Sequence, residues 1–281
     1  MLAIKPIVIM GATGTGKTKL SIDVSKVIGG EVINADKMQI YGGLDITTNK
    51  VHLNDQYGIP HHLIGSISAT TGDFPVSFFR SIATSTAKSI VRRGRIPVLV
   101  GGSNSLIHGF LADRLDPSLI DPFAIDEYRP ALRFPSCLLW LHAHESILNE
   151  YLSRRIDDMV DAGLVEEIKD FFGTTILRKP VEYIGLARAI GVGELRDYFA
   201  GCKKLYDCID EMKFNTHALA RAQAAKIQHI ADVWGWPVCP LDTTETIRAH
   251  LTGSNHNAKA IAWERDVSGP GLTTINDFLD G

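Results

Sequence analysis

Gly11, Gly16, Lys17 and Thr18 stand in the spacing G-x-x-x-x-G-K-[ST], inside the stretch GATGTGKT. In that pattern, successive backbone N–H groups and the start of the following helix converge on anionic oxygens. Lys17 adds a point charge, and the Thr18 hydroxyl can ligate Mg2+. Gly11, Ala12, Thr13, Gly14, Thr15, Gly16, Lys17 and Thr18 are therefore the candidate phosphate-binding residues. An enzyme that hydrolyses a nucleoside triphosphate on such a loop also needs an acidic residue, usually at the end of another buried strand. Two candidate strands lack one: VLVGG ends in Gly101-Gly102 and CLLWLHA in His142-Ala143. A carboxylate instead ends the run GEVINAD, at Asp36, and opens the polar segment NADKMQIYGGLDITTNKV. Lys37, Gln39, Asp45, Thr48, Asn49 and Lys50 crowd donors and acceptors there, as a site for an acceptor substrate requires. Ser103 and Asn104 follow the strand-ending glycines, the usual place for ligand contacts in open α/β sheets.

These residues need elements to position them. KPIVIM is a short β-branched run, read as a buried strand, and TKLSIDVSKVI after the loop reads as a helix. Leu20, Val24 and Ile28 share one face of that helix, with Ile22 off it. GEVINAD, RIPVLVGG and SCLLWLHA read as further strands, and FPVSFFRSIATSTAKSIVRRG as an amphipathic helix ending at Gly94. Strands alternating with helices predict an α/β fold: a P-loop-containing parallel sheet core flanked by helices, with a helical insertion domain. The expected divisions are 1–144 for the core, 145–235 for a mainly helical acceptor-side region, and 236–281 for the return to the core and a C-terminal helix. In SRRIDDMVDAGLVEEIKDFF, Ile156, Met159, Val160, Leu164, Val165 and Ile168 make one apolar stripe. PVCPLD returns to strand character, Asp242 is placed to cap the helix DTTETIRAHL, and the tail is expected to end in a short helix near Ile275–Leu279.

The chain has 281 residues, 45% hydrophobic and 22% charged, enough to bury a real core. Its net charge of −3 argues against a broad nucleic-acid surface, which usually carries a positive excess. The four cysteines form no C-x-x-C pair, so neither a structural zinc site nor a disulfide framework is expected. Adjacent His61 and His62 do not converge on one ion and are expected to be structural or substrate-lining. No apolar run approaches the roughly 20 residues of a membrane span, so no membrane partner is expected. The first strand begins close to Met1, which predicts a cytoplasmic protein, with a plastid the alternative if a transit peptide was removed.

Several longer stretches carry a resemblance. GATGTGKT, INADKMQIYGGLDITTNKV, IPHHLIG, FFRSIATSTAKSIVRRGRIPVLVGGSNSLI, RRIDDMVDAGLVEEI and ARAIGVGEL closely resemble the isopentenyltransferase family. This group holds the tRNA dimethylallyltransferases and the plant adenylate isopentenyltransferases that start cytokinin synthesis. DKMQIYGGLDITTNK, GGSNSLI and the C-terminal WERDVSGP resemble the plant adenylate branch, and the resemblance covers nearly the whole chain.

The resemblance implies that the loop holds the diphosphate of dimethylallyl diphosphate, and that N6 of adenine in AMP, ADP or ATP takes the prenyl group. It further implies Asp36 as general base, Lys17 and Thr15 on the diphosphate, Thr18 on Mg2+, Arg188 near phosphate, and Asp45, Thr48, Asn49 and Lys50 shaping the acceptor side. Two positions depart from the family pattern: Ala187 and Ala222 stand where basic residues are usual. Lys179, Lys213 and Lys226 are candidates to replace the lost charge. The alternatives are a tRNA dimethylallyltransferase acting on A37, a P-loop kinase, and a nucleotide-binding paralogue without turnover. Net charge, motif forms and the absence of a C-terminal Cys/His finger oppose the tRNA reading, while Ala187 and Ala222 motivate the last. One active-site channel within each chain leads to the expectation of a monomer.

Overall fold

A computed structural model describes residues 3–116, 119, 121–125, 127–173 and 184–281. Its central strand, β1 (Ile7–Gly11), is buried along its whole length because it is paired on both edges. The sheet has six strands in the order β3-β2-β4-β1-β5-β6. The others are β2 (Gly30–Asn34), β3 (His61–His62), β4 (Ile96–Gly101), β5 (Cys137–His142) and β6 (Val238–Asp242). All pairings are parallel. Strands of a parallel sheet are covered on both faces, which explains their nearly continuous Val, Ile and Leu. The α/β parallel-sheet class expected from the sequence is the fold observed.

Helices α1 (Lys17–Ile28), α2 (Val76–Arg92) and α3 (Asn104–Leu111) connect the first strands. Between β5 and β6 the described residues are mainly helical: α4 (Glu145–Asp161), α5 (Leu164–Gly173), α6 (Val192–Phe199) and α7 (Leu205–Asp232). This stretch shares the core of the sheet. Val8, Met10 and Leu99 of the sheet, Phe79 and Ile90 of α2, and Ile156, Ile168, Leu195 and Ile227 of the helical stretch form one buried cluster. The opposite face packs Ile7, Ile9 and Val98 against Leu20 and Val24 of α1 and against Trp263, Val267 and Ile275.

Four local expectations change. The single apolar stripe of 153–172 is divided between α4 and α5, because Gly163 takes φ 100° and turns the chain. The stripe survives the turn, since Ile156, Leu164 and Ile168 still enter one core. The tail is helical far beyond Ile275–Leu279: α8 (Thr244–Leu251) is followed by α9 (His256–Trp263), a π turn at Glu264–Ser268, and α10 (Gly269–Asp280). Gly269-Pro270-Gly271 resembles a breaker, but the helix continues through it: the π turn closed by Gly269 N on Glu264 O shifts the hydrogen-bond ladder just before the proline, which has no N–H to place. Ile22, off the expected stripe of α1, is buried too. The cap position of α8 is Thr243, one residue after the expected Asp242, although Asp242 still accepts from Thr244 N (2.8 Å).

The sheet aligns the chemistry at the carboxyl ends of β1, β2 and β4. Ala35, just past β2, donates from N to Val100 O (2.7 Å) and accepts from Ser103 N (3.3 Å). This clamps the residue before Asp36 against the end of β4. The approach is so close that a Cβ on Gly101 would lie 2.2 Å from Ala35 O. Gly101→Ala is therefore expected to lower stability by about 1–3 kcal/mol, as overpacking does. Urea denaturation checks this; an unchanged midpoint would refute the clamp.

Candidate active site

A cavity of about 1150 Å3 opens at these strand ends. Single small-molecule pockets run to about 300–1,000 Å3, so the space suits two ligands. Thr13, Gly14, Thr15, Gly16, Lys17 and Thr18 line it, with Asp36, Lys37, Gln39, Thr48, Asn49, Ser103 and Arg188. Of the residues singled out in the sequence, Gly11, Ala12, Asp45, Lys50 and Asn104 do not line it.

The phosphate loop is folded around its own carbonyl. Ala12 O accepts from Thr15 N (3.4 Å), Thr15 Oγ1 (2.9 Å) and Lys17 Nζ (2.7 Å). Gly16 takes φ 87° at the head of α1, a left-handed conformation that favours glycine. Burial pulls the Lys17 ammonium down from 10.5 to about 8; Asp36 opposes the pull and Arg155 adds to it. Gln223 of α7, itself in the cavity lining, braces the loop: its Oε1 accepts from Thr13 N (2.8 Å) and its Nε2 donates to Gly102 O (3.0 Å). Asn104 secures the brace by donating to Gln223 O (2.9 Å), which explains why it lies off the cavity.

Asp36 faces the loop from the end of β2. Its Oδ1 accepts from Met38 N (3.0 Å) and Gln39 N (3.4 Å), an Asx turn that fixes the carboxylate. Oδ2 takes no hydrogen bond among the described residues. Ser103 Oγ accepts from Lys37 N (2.8 Å) and ties the next residue to β4. Lys37 Nζ (3.2 Å) and Arg188 Nη2 (2.9 Å) share the carboxylate of Asp73. Burial would raise the Asp73 carboxyl, but Lys37, the Gly185 N–H and Arg188 together hold it below its usual value.

The polar segment after Asp36 forms a wall held from both sides. Gln39 Nε2 donates to Thr48 O (3.1 Å) and Asn49 O (3.2 Å). Glu167 of α5 accepts from Ile46 N, Thr47 N and Thr47 Oγ1 at 3.0, 2.8 and 2.6 Å. Asp45 and Lys50 pair with each other at 2.9 Å, and Lys50 Nζ also reaches Gly43 O and Thr48 Oγ1. They close the loop behind the wall.

Sequence reasoning missed Arg155 as a site residue. It lies in RRIDDM, whose two arginines are equivalent on paper. In α4 Arg154 turns outward to Glu150 (2.7 Å) and Leu251 O (2.6 Å). Arg155 enters the cavity and donates from Nη2 to Thr13 Oγ1 at 2.8 Å. Only the phase of α4 against the loop distinguishes them. The suggested replacements for the missing cations do not line the cavity: Lys213 pairs with Asp157 (2.6 Å) and Lys226 with Asp121 (3.0 Å). Lys179 lies outside the described residues. Ala187 is buried in the main core and Ala222 is exposed. His61 and His62 diverge: His61 Nδ1 bonds Ile59 O (2.8 Å) and His62 Nε2 bonds Glu31 (2.7 Å).

The depressed Lys17 carries a signed consequence. Folded, the ammonium releases its proton at about 8; unfolded, it keeps it to about 10.5. The unfolded state binds more protons in that window, so this group makes stability rise with pH across it. Lys17→Met is expected to be more stable than the parent at pH 7, with the difference shrinking between pH 8 and 10. Denaturant titrations across that range check it, and a pH-independent difference would contradict it.

A sequence model of the IPP transferase family matches residues 39–122 and 117–228. Adenylate isopentenyltransferase 1, chloroplastic, of Arabidopsis thaliana is 37% identical over 98% of this chain and 81% of its own length. The adenylate isopentenyltransferase of Humulus lupulus is 36% identical over 97% of this chain and 89% of its own. Among solved structures, a eukaryotic dimethylallyltransferase acting on tRNA matches with a TM-score of 0.83 at 26% identity, over 99% of this chain and 80% of that one. The full-length tRNA isopentenylpyrophosphate transferase of Bacillus halodurans matches with a TM-score of 0.74 at 27% identity, over 97% and 98%. The family match begins at Gln39, so it rests on the acceptor wall and the helical stretch and not on the phosphate loop, which many unrelated enzymes share: the chain belongs to the IPP transferase family.

Proposed function

We propose that this enzyme transfers the dimethylallyl group from dimethylallyl diphosphate to N6 of the adenine in AMP, ADP or ATP and releases diphosphate. The observation that carries the reading is Asp36 facing a cation-lined phosphate loop across one cavity, two strands away. Neighbouring strands lie about 4.8 Å apart, so the ends of β2 and β1 are separated by about 10 Å. That gap leaves room for an allylic carbon between an amine at Asp36 and a leaving oxygen at Lys17. The N6–C1 bond forms as the C1–O bond breaks, the electron pair leaves with diphosphate, and Asp36 takes the N6 proton. The adenine amine is a weak nucleophile because its lone pair is delocalised, so a fixed carboxylate acceptor assists attack. Loop N–H groups and Lys17 stabilise the negative charge that grows on the leaving group. No water-activating acid ends β4 or β5, in keeping with attack at carbon rather than phosphorus.

Mg2+ is the ion assigned to this site. Thr18 Oγ1 lines the cavity at the head of α1 and makes no hydrogen bond among the described residues. No group of three His, Cys, Asp or Glu that could hold a metal occurs among the described residues, so diphosphate oxygens and water would complete the shell. When bound, the ion neutralises charge on the departing diphosphate. Free adenine nucleotide is the acceptor favoured by the curated relatives at 36–37% identity; the solved structures, at 26–27%, act on tRNA. No helix among the described residues is long and apolar enough to cross a membrane.

Asp36→Asn keeps the shape of the turn and removes the proton acceptor. Prenyl transfer is expected to fall by ~10²–10⁴-fold while inorganic pyrophosphate still binds. Mass spectrometry of products from AMP, ADP, ATP and an A37-containing tRNA reads both points. Full activity in the variant would remove Asp36 from the mechanism, and prenylated tRNA alone would replace the acceptor.

A further inference from the structure

Lys19, Lys37 and Arg188 line the cavity, and each meets a carboxylate: Asp23 for Lys19 (2.6 Å), Asp73 for the other two. Lys17, Arg155 and Lys259 line it as well and meet none among the described residues; Lys17 and Arg155 are the two that flank the phosphate loop. Lys17 has only the carbonyl of Ala12. Arg155 has only the hydroxyl of Thr13, and its Nε is buried without a partner. Burial disfavours the charge on both, Arg155 further weakens Lys17, and Asp36 favours both from a distance. Enclosed charges are ordinarily paired, and two like charges on one wall are least stable without a counter-ion. The missing partner must therefore be an anion held between the phosphate loop and α4. A guanidinium offers a planar fork of donors that matches phosphate oxygens.

We propose that Arg155 is a catalytic residue of the leaving-group site. Its guanidinium, tethered through Nη2 to Thr13, contacts the diphosphate of the prenyl donor opposite Lys17 and stabilises the charge that develops as the C1–O bond breaks. With alanine at 187 and 222, and Lys213 and Lys226 committed to Asp157 and Asp121, Lys259 is the other cavity-lining cation without a carboxylate among the described residues, and it does not touch the phosphate loop as Arg155 does. The donor's identity rests on the function proposed above; the anion site does not.

The test separates the two. Inorganic pyrophosphate with Mg2+ is titrated calorimetrically into the parent chain, Arg155→Gln and Arg155→Lys, and steady-state transfer to AMP is measured for each. Arg155→Gln is expected to weaken pyrophosphate binding by roughly 10–150-fold, the worth of one charge-assisted contact. It should lower kcat, raise KM for the donor and leave KM for AMP near the parent value. Arg155→Lys should retain part of the affinity. Millimolar guanidinium should restore part of the activity of Arg155→Ala, which a merely structural arginine would not allow. Parent-like pyrophosphate binding in Arg155→Gln would overturn the proposal, as would equal rises in both KM values. If Arg155→Gln does not fold, Arg155→Lys decides: unchanged pyrophosphate affinity and turnover would overturn the assignment. A parent chain that binds pyrophosphate in an Arg155-dependent way but prenylates no adenine nucleotide would sink the proposed acceptor and leave the anion site standing.

Discussion

Enclosed positive charge facing an enclosed carboxylate is the constraint on which the rest of this molecule depends. Lys17 and Arg155 stand on one wall of the cavity with no carboxylate in contact, and Asp36 stands on the other. Left to relax, such groups would pair directly or turn to water. The surrounding structure prevents both. Lys17 is drawn back onto Ala12 O, Arg155 is tied to Thr13, and the Asx turn at Met38 and Gln39 holds Asp36 on its own side. The separation is the chemistry: a bond to carbon can be broken only if leaving group and nucleophile are held apart by the length of the reacting group.

That separation is set by topology. A parallel sheet brings every strand's carboxyl end to one edge, and the crossing order places β4 between β1 and β2. β4 then serves as the spacer. Its terminal glycines let Ala35 and Gln223 approach so closely that side chains there would collide: Gly101 with Ala35 O, Gly102 with Gln223 Nε2. The two glycines that end VLVGG, where an NTPase would carry an acid, have a positive role. They clear the space through which loop, base and α7 are locked together.

The acceptor wall shows how a polar loop is kept from collapsing into the cavity. Leu44 and Asn49 both take φ 52°, a left-handed conformation that a leucine adopts only when held. Glu167 holds the middle of the loop by three donors, and Lys50 closes its end. Helix α5 is thus part of the site though it contributes nothing to the cavity lining. Helix α7 does both: Gln223 lines the cavity and braces the phosphate loop across a long sequence separation.

The phosphate loop, Asp36, the strand–helix alternation and the family were legible from sequence, because each depends on local spacing: five short apolar runs, a glycine-rich turn of fixed length, a carboxylate at a strand end. The helical character of the described residues between β5 and β6 was legible for the same reason. What escaped was whatever depends on the phase of one element against another. Arg154 and Arg155 are adjacent and chemically identical, and only the rotation of α4 sends one to solvent and the other to Thr13. Asp45 and Lys50 have the right chemistry for an acceptor site, but the loop's return path pairs them with each other behind it. The tail's Gly-Pro-Gly resembles an interruption until packing of Trp263, Val267 and Ile275 on the sheet carries the helix through it. Sequence determined which groups exist and which elements carry them; the tertiary structure decided which face each other, because burial and pairing are set by contacts between segments far apart in the chain.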